Sequence, residues 1–194
     1  MPRIVEILLS GAMILVLAPV IVVVAIVVKL DSPGPVIFAQ TRVGRGGMPF
    51  TIYKFRSMTD ARGVGPSVTV GGDARVTGVG RVLRRTKLDE VPQLFNVLEG
   101  TMSFVGPRPE VPDLIVDYPE ACRATMLSVR PGITDPASIL YRDEESTLAA
   151  QDDPIAYYKK VVIPQKCAIY REYIVQKTFR SDMVTIGQTL KALL

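Results

Sequence analysis

The strongest constraint in this chain is an uncharged apolar run from Ile7 to Val28, bounded by Arg3 and Glu6 before it and by Lys29 and Asp31 after it. As a helix rising about 1.5 Å per residue it would extend roughly 33 Å, enough to cross a hydrocarbon core of about 30 Å. A cleaved signal peptide is disfavoured, because the run outlasts a typical apolar leader segment and ends in Val-Val-Lys-Leu with no small-residue cleavage site. A core helix of a soluble protein is disfavoured as well, since a helix apolar on every side needs a larger protein to hide it. Two readings remain. Pro19, near the middle, removes one backbone hydrogen bond and pushes the chain toward a kink. The helix either spans the bilayer with that kink, or breaks at Ala18-Pro19 and leaves on the side it entered. Arg3 on one flank and Lys29, Arg42 and Arg45 on the other suit two ends on one cytoplasmic face.

The expected organisation is a membrane-inserted segment over residues 1–30 followed by one catalytic-sized domain over 31–194. Histidine is absent, which excludes a His-based triad, a His general base and a His-ligated metal. Cys122 and Cys167 have neither zinc-site spacing nor the framework of a small secreted scaffold, and read as separate thiols of a reducing compartment. The excess of 23 Lys and Arg over 19 Asp and Glu suits phosphate-bearing or anionic-membrane partners.

The expected fold class is α+β, mainly helical. After the turn cluster Asp31-Ser-Pro-Gly-Pro35, residues 36–40 and 50–55 read as strands joined across Gly44-Arg-Gly-Gly47 as a hairpin. Residues 56–80, rich in Gly, Ser, Thr and Asp, read as a loop over a site. Residues 81–98 turn helical: Val91, Leu94, Phe95 and Leu98 form an apolar stripe, Asp89 reads as its N-cap, and Gly100 closes it. A short strand is expected at 101–105 and a rigid loop at Gly106-Pro-Arg-Pro109. Helices are expected over 111–127, 155–177 with a bend at Pro164, and 183–194.

Asp89-Glu90 is the first place chemistry could reside. Neighbours on a helix diverge by about 100°, which disfavours a glycosidase pair set about 5 to 9 Å apart across a sugar. The pair suits one carboxylate as nucleophile while the other handles a divalent cation or a proton. Asp-Glu before a helix is also an ordinary N-terminal signature. Arg84, Arg85 and Lys87 lie just upstream, and Arg85, Asp89 and Gln93 would share one face of an unbroken helix. That cluster is either a solvated charged face or a phosphoryl-transfer site, where arginines neutralise the group in transit. Lys54 and Arg56 at a strand end, and Arg108 held between Pro107 and Pro109, could add cations to one diphosphate. The run Tyr157-Tyr-Lys-Lys160 with Lys166, Tyr170, Arg171 and Tyr173 interleaves aromatic and basic residues. With an apolar anchor elsewhere in the chain, amphipathic helices at the membrane interface account for it better than a nucleic-acid surface, and packing within the domain is the alternative.

Taken together, Gly34-Pro-Val-Ile-Phe38, Arg42-Val-Gly44, Tyr53-Lys-Phe-Arg-Ser-Met58, Leu88-Asp-Glu-Val-Pro-Gln-Leu-Phe-Asn-Val-Leu98, Met102-Ser-Phe-Val-Gly-Pro-Arg-Pro109 and Arg130-Pro-Gly-Ile-Thr134 stand in the order and spacing of the bacterial sugar transferases. The chain resembles the small monotopic phosphoglycosyl transferases over nearly its whole length. That resemblance implies transfer of a sugar 1-phosphate from a UDP-sugar to polyprenyl (undecaprenyl) phosphate with release of UMP, requiring Mg²⁺. It implies Asp89 as the nucleophile that carries the phosphosugar, Glu90 as its support, the two together as metal ligands, and Lys54, Arg84 and Arg108 on phosphate groups. It favours the re-entrant helix, with the protein on the cytoplasmic face of the bacterial inner membrane. Two departures stand out: Ala18-Pro19 where members often have Ser-Pro, and Asp135-Pro-Ala-Ser138 where many have Gly-Trp-Ala-Gln. The rival functions are the same transfer by direct attack in a ternary complex, and a membrane-anchored adaptor that binds anions.

Overall fold

The computed structural model describes residues 1–59 and 73–193. It is mainly helical, with two small two-stranded sheets. Helix α1 runs from Arg3 to Asp31 with Pro19 inside it, the helical backbone continuing through the proline. One stripe of α1 packs on the rest of the chain. Leu9, Ile14 and Leu17 lie against a core of Ile52, Leu94, Val97, Met102, Phe104, Val105 and Tyr173, and Val24 and Val28 join Phe55 and Leu83 in a second one. The opposite face, including Leu8, Leu15, Val16, Val23 and Ile26, is exposed apolar surface. It is the one described helix long and apolar enough to cross a membrane.

Both ends of α1 are tied to the same domain. Near its start, Arg3 donates to the carbonyls of Val97 and Leu98, and fully buried Glu6 accepts from Ser103 and pairs with Arg130 at 2.7 Å. At its end, Arg56 donates to the carbonyls of Val28, Ser32 and Pro35, supplying partners that a helix terminus otherwise lacks.

Strands β1 (Ile37–Val43) and β2 (Pro49–Phe55) form the expected hairpin. Its turn is a 3₁₀ segment in which Gly46 and Gly47 adopt φ of 68° and 78°, left-handed values that glycine reaches without a Cβ clash. Strand alternation puts Phe50, Ile52 and Lys54 on one face. Ile52 buries toward helix α3 (Gln93–Glu99), so Lys54 emerges beside the turn that precedes α3. Helix α2 (Gly78–Thr86) is capped by Thr77 and precedes that turn. Part of the loop expected at 56–80 therefore belongs to α2, and its residues 60–72 lie outside the described residues.

Strand β3 (Ser103–Val105), within the stretch expected as a short strand, pairs in parallel with β4 (Gly132–Thr134). The backbones approach so closely that a Cβ on Gly132 would stand 2.1 Å from the Gly106 nitrogen. The helix expected over 111–127 divides at Pro119 into α4 (Pro112–Ile115) and α5 (Glu120–Leu127). Short helices α6 (Pro136–Leu140) and α7 (Glu144–Ala149) follow. The long amphipathic helix is present as α8 (Pro154–Tyr157), a π turn over Tyr158–Val162, and α9 (Ile163–Val175), the wide turn falling just before Pro164, which has no N–H to give. Helix α10 (Phe179–Leu193) ends the described chain and starts earlier than the apolar pattern implied.

Two expectations are corrected here. Tyr158, Tyr170, Tyr173 and Lys166 are not interfacial: they are buried, Tyr158 and Tyr170 in a core with Val111, Leu114, Tyr118 and Ile163. Aromatic rings one helical turn apart on α9 serve packing, while Lys159, Lys160 and Arg171 stay exposed. Cys122 and Cys167 are not separate thiols but a disulfide, because α5 packs against α9 and brings their Cα atoms to 5.5 Å.

The Glu6–Arg130 pair gives a direct test of how α1 is held. Arg130→Met should leave Glu6 buried without its closest cation and destabilise the protein by on the order of 3 kcal/mol, read as a lowered Tm in detergent. Adding Glu6→Leu should recover much of that loss.

Candidate active site

Asp89 and Glu90 occupy a single 3₁₀ turn, Leu88–Glu90, between α2 and α3. The expected helix over 81–98 is interrupted at Lys87, whose φ of 57° makes it the one non-glycine residue with positive φ among the described residues. Arg85, Asp89 and Gln93 therefore do not continue one helical face, and Arg85 points to solvent. Asp89 is not an N-cap either. Its candidate donors are unavailable: the Val91 N–H goes to the Leu88 carbonyl, and Pro92 has no N–H. The consequence is chemical. Asp89 is buried, and its Oδ1 has no hydrogen-bond partner.

Glu90 has the opposite fate. Its Oε1 accepts from Lys54 Nζ at 2.8 Å and from Arg108 at 3.1 Å, so one carboxylate oxygen joins β2, the 3₁₀ turn and the Pro107-Arg108-Pro109 segment. Although burial pushes its carboxyl upward, Lys54 and Arg108 outweigh it and hold Glu90 far below the usual carboxylate range. Glu90 in turn raises Arg108, so that guanidinium stays charged. Asp89 lacks such contacts, and burial raises its pKa, opposed chiefly by Lys54 and reinforced by Glu90. The pair thus separates into a fixed anion and a carboxylate whose charge is costly and whose oxygen is free, an arrangement suited to a nucleophile beside a permanent counter-charge.

The remaining sequence-predicted residues fall in different places. Arg84, on α2, lies close enough for its charge to act on Asp89, and its guanidinium pairs with Glu145 of α7. Arg56 directs its hydrogen bonds to the end of α1 instead of toward the acidic pair. Arg42 is an addition. It shares the sheet face of Lys54, donates to Gln40 Oε1 at 2.7 Å and to the Pro109 carbonyl at 3.0 Å, and feels Arg108 and Glu90. The signal for it was the hairpin register, which needed the exact strand ends. Fully buried Asp135 caps α6 through Ser138 at 2.9 Å and stands near Arg108.

Among the described residues no cluster of three or more His, Cys, Asp or Glu could hold a metal unaided. Mg²⁺, however, commonly takes one or two carboxylates and completes its shell with water and substrate phosphate oxygens. The free Asp89 oxygen beside Glu90 fits that kind of site.

A family model described as bacterial sugar transferase matches residues 1–194. The chain belongs to the bacterial sugar transferase family. A UDP-glucose:undecaprenyl-phosphate glucose-1-phosphate transferase of Klebsiella pneumoniae is 42% identical over 159 residues, covering 80% of this chain and 34% of the relative. A UDP-N-acetylgalactosamine-undecaprenyl-phosphate N-acetylgalactosaminephosphotransferase of Aeromonas hydrophila is 44% identical over 127 residues, covering 64% of this chain and 30% of the relative. A Caulobacter vibrioides protein with the same name as the Klebsiella one is 44% identical over 142 residues, covering 71% and 52%. This sugar transferase chain thus spans between about a third and half of the length of these relatives.

Removing the Glu90 charge tests the division of labour between the two carboxylates. Glu90→Gln should lower the Tm, because Lys54 and Arg108 lose their shared anion. Millimolar pyrophosphate should then raise the Tm of the variant more than that of the parent.

Proposed function

We propose that this chain transfers a sugar 1-phosphate from a UDP-sugar to a polyprenyl phosphate, such as undecaprenyl phosphate, and releases UMP. The observation that carries the reading is Asp89: a buried carboxylate with an unpartnered oxygen, close to the charges of Lys54, Lys87 and Arg84 and next to Glu90 with its partner Arg108, in a chain whose relatives are named undecaprenyl-phosphate sugar phosphotransferases. An Asp89 oxygen attacks the phosphorus that bears the sugar. The bond from that phosphorus to the bridging oxygen breaks, UMP leaves with that oxygen, and Asp89 keeps the phosphosugar. A phosphate oxygen of the lipid then attacks the same phosphorus, the bond to Asp89 breaks, and the carboxylate is restored. No proton need be taken from Asp89 above its pKa, which suits a chain without histidine.

Lys54 and Arg108, already fixed by Glu90, face the developing negative charge without reorganising. Mg²⁺, held by Asp89 and Glu90, would supply further neutralisation of the diphosphate. Residues 1–30 form the membrane segment in this reading, and 31–194 the catalytic domain. The attachment of both α1 ends to one domain supports a re-entrant helix, bent at Pro19 within the bilayer, over a crossing that would carry one end away. Exposed Phe95 and Leu98 of α3, and Phe179, Met183, Val184 and Leu190 of α10, would then rest in the interface on the cytoplasmic side of the inner membrane.

UMP release from a panel of UDP-sugars, with and without polyprenyl phosphate, tests the reaction. Asp89→Asn should lose transfer by at least about a thousandfold while keeping the parent Tm within a few degrees. No UMP from any sugar would leave the anion-binding adaptor. In the parent, double-reciprocal plots should be parallel, as a two-step transfer requires, and intersecting lines would favour the ternary route. The pH profile follows from the raised Asp89 pKa. Attack needs the anion, so kcat/KM should fall as pH drops through that raised value, earlier than for an ordinary aspartate. Lys54 opposes the rise, so Lys54→Gln should move the acidic limb to higher pH.

A further inference from the structure

Arg84 and Glu145 are separated by 61 residues and meet across the gap between α2 and α7, Arg84 Nη2 donating to Glu145 Oε1. Arg84 has 22% of its side chain exposed and Glu145 47%, so the pair sits at the rim of the site and not in a core. Helix α7 is held from beneath by fully buried Leu148 and by a Glu144–Lys166 ion pair, which leaves Glu145 free to face Arg84. Two other cations of the site are matched as well, Lys54 and Arg108 sharing Glu90. One difference separates the two sets. Glu90 is buried and locked by two donors, whereas Glu145 makes a single half-exposed contact that an incoming anion can replace.

We propose that Glu145 is an internal anion set on Arg84 which the diphosphate of the substrate must displace, so that it determines how strongly anionic a ligand has to be to enter the site. A carboxylate and a phosphate oxygen use the same guanidinium donors, and a bidentate phosphate is the better partner. A ligand with one weak anionic group gains little by exchanging with Glu145, while a diphosphate engages Arg84 together with Lys54 and Arg108. Because half-exposed ion pairs contribute little, the barrier is low, and its removal should change affinity by about two- to fivefold. The inference deepens the transferase reading and names a residue that sets the affinity threshold of its site.

The test is a double-mutant cycle on binding, with inorganic pyrophosphate and acetate as the probes and calorimetry as the readout. Glu145→Gln should tighten pyrophosphate by about two- to fivefold and acetate by no more than the same factor, since freeing Arg84 from Glu145 costs every ligand of that guanidinium alike. In an Arg84→Gln background, the same Glu145 change should have no effect on either probe. Pyrophosphate affinity that is unchanged or weaker in Glu145→Gln would overturn the proposal, since a residue that only orients Arg84 must weaken binding when removed. Tightening that persists without Arg84 would overturn it as well, reducing Glu145 to a diffuse charge. Glu145→Lys supplies a second variant with the same expected sign and a larger change. UMP release by the parent is scored separately: a completed cycle without UMP refutes the transferase reading alone, and UMP release without coupling refutes this proposal alone.

Discussion

One oxygen of Glu90 accepts from Lys54 and Arg108 at once, and the site is organised around that contact. It fixes the end of β2 and the rigid Pro107-Arg108-Pro109 segment on the turn between α2 and α3. It consumes the charge of one carboxylate and leaves its neighbour, Asp89, with a free oxygen. Two adjacent acids in nearly the same surroundings therefore end up with opposite electrostatics, Glu90 held anionic and Asp89 pushed toward neutrality by burial. The separation of roles comes from local geometry: a 3₁₀ turn, a proline without an N–H at position 92, and a strand whose alternation aims Lys54 at the turn.

The second constraint is the apolar helix. A buried glutamate near the start of α1, paired with Arg130 and Ser103, and Arg56 at its end, tie it to the same domain that carries the site. The cost of burying Glu6 is offset only while those partners remain in place. The apolar outer face of α1 and the exposed apolar residues of α10 need a non-aqueous partner, which the proposed bilayer provides. In the proposed reaction, an acceptor with its phosphate at headgroup depth and its chain in hydrocarbon fits an acidic turn packed so near the apolar helix.

Much of this was legible in the sequence wherever periodicity or turn chemistry acts locally. The apolar run, the hairpin with its left-handed glycines and the short strand after Gly100 all follow from nearest neighbours in the chain. What failed depended on how the backbone turns at one point or on partners distant in sequence. Asp89 looked like an N-cap because Asp before a helix usually is one, but the Val91 N–H had already gone to Leu88. Phe95 and Leu98 belonged to a regular apolar stripe, yet α3 turns Gln93 and Asn96 inward, Asn96 bonding to the backbone of Thr51 and Tyr53. Arg56 looks like one more phosphate ligand beside Lys54, but it stands one residue past the end of β2, where its guanidinium is taken up by the carbonyls at the end of α1. The tyrosines of α9 and the pairing of Cys122 with Cys167 depend on which helices pack, which spacing along the chain does not reveal.

The central claim is that Asp89 carries the phosphosugar. Its most direct test is the intact mass of the protein after incubation with a UDP-sugar that supports turnover, in the absence of any lipid acceptor. The account predicts a gain of one phosphosugar, confined to the peptide that contains Asp89, absent from Asp89→Asn and discharged when polyprenyl phosphate is added. An unmodified mass in a preparation that transfers the phosphosugar once lipid is supplied would contradict it.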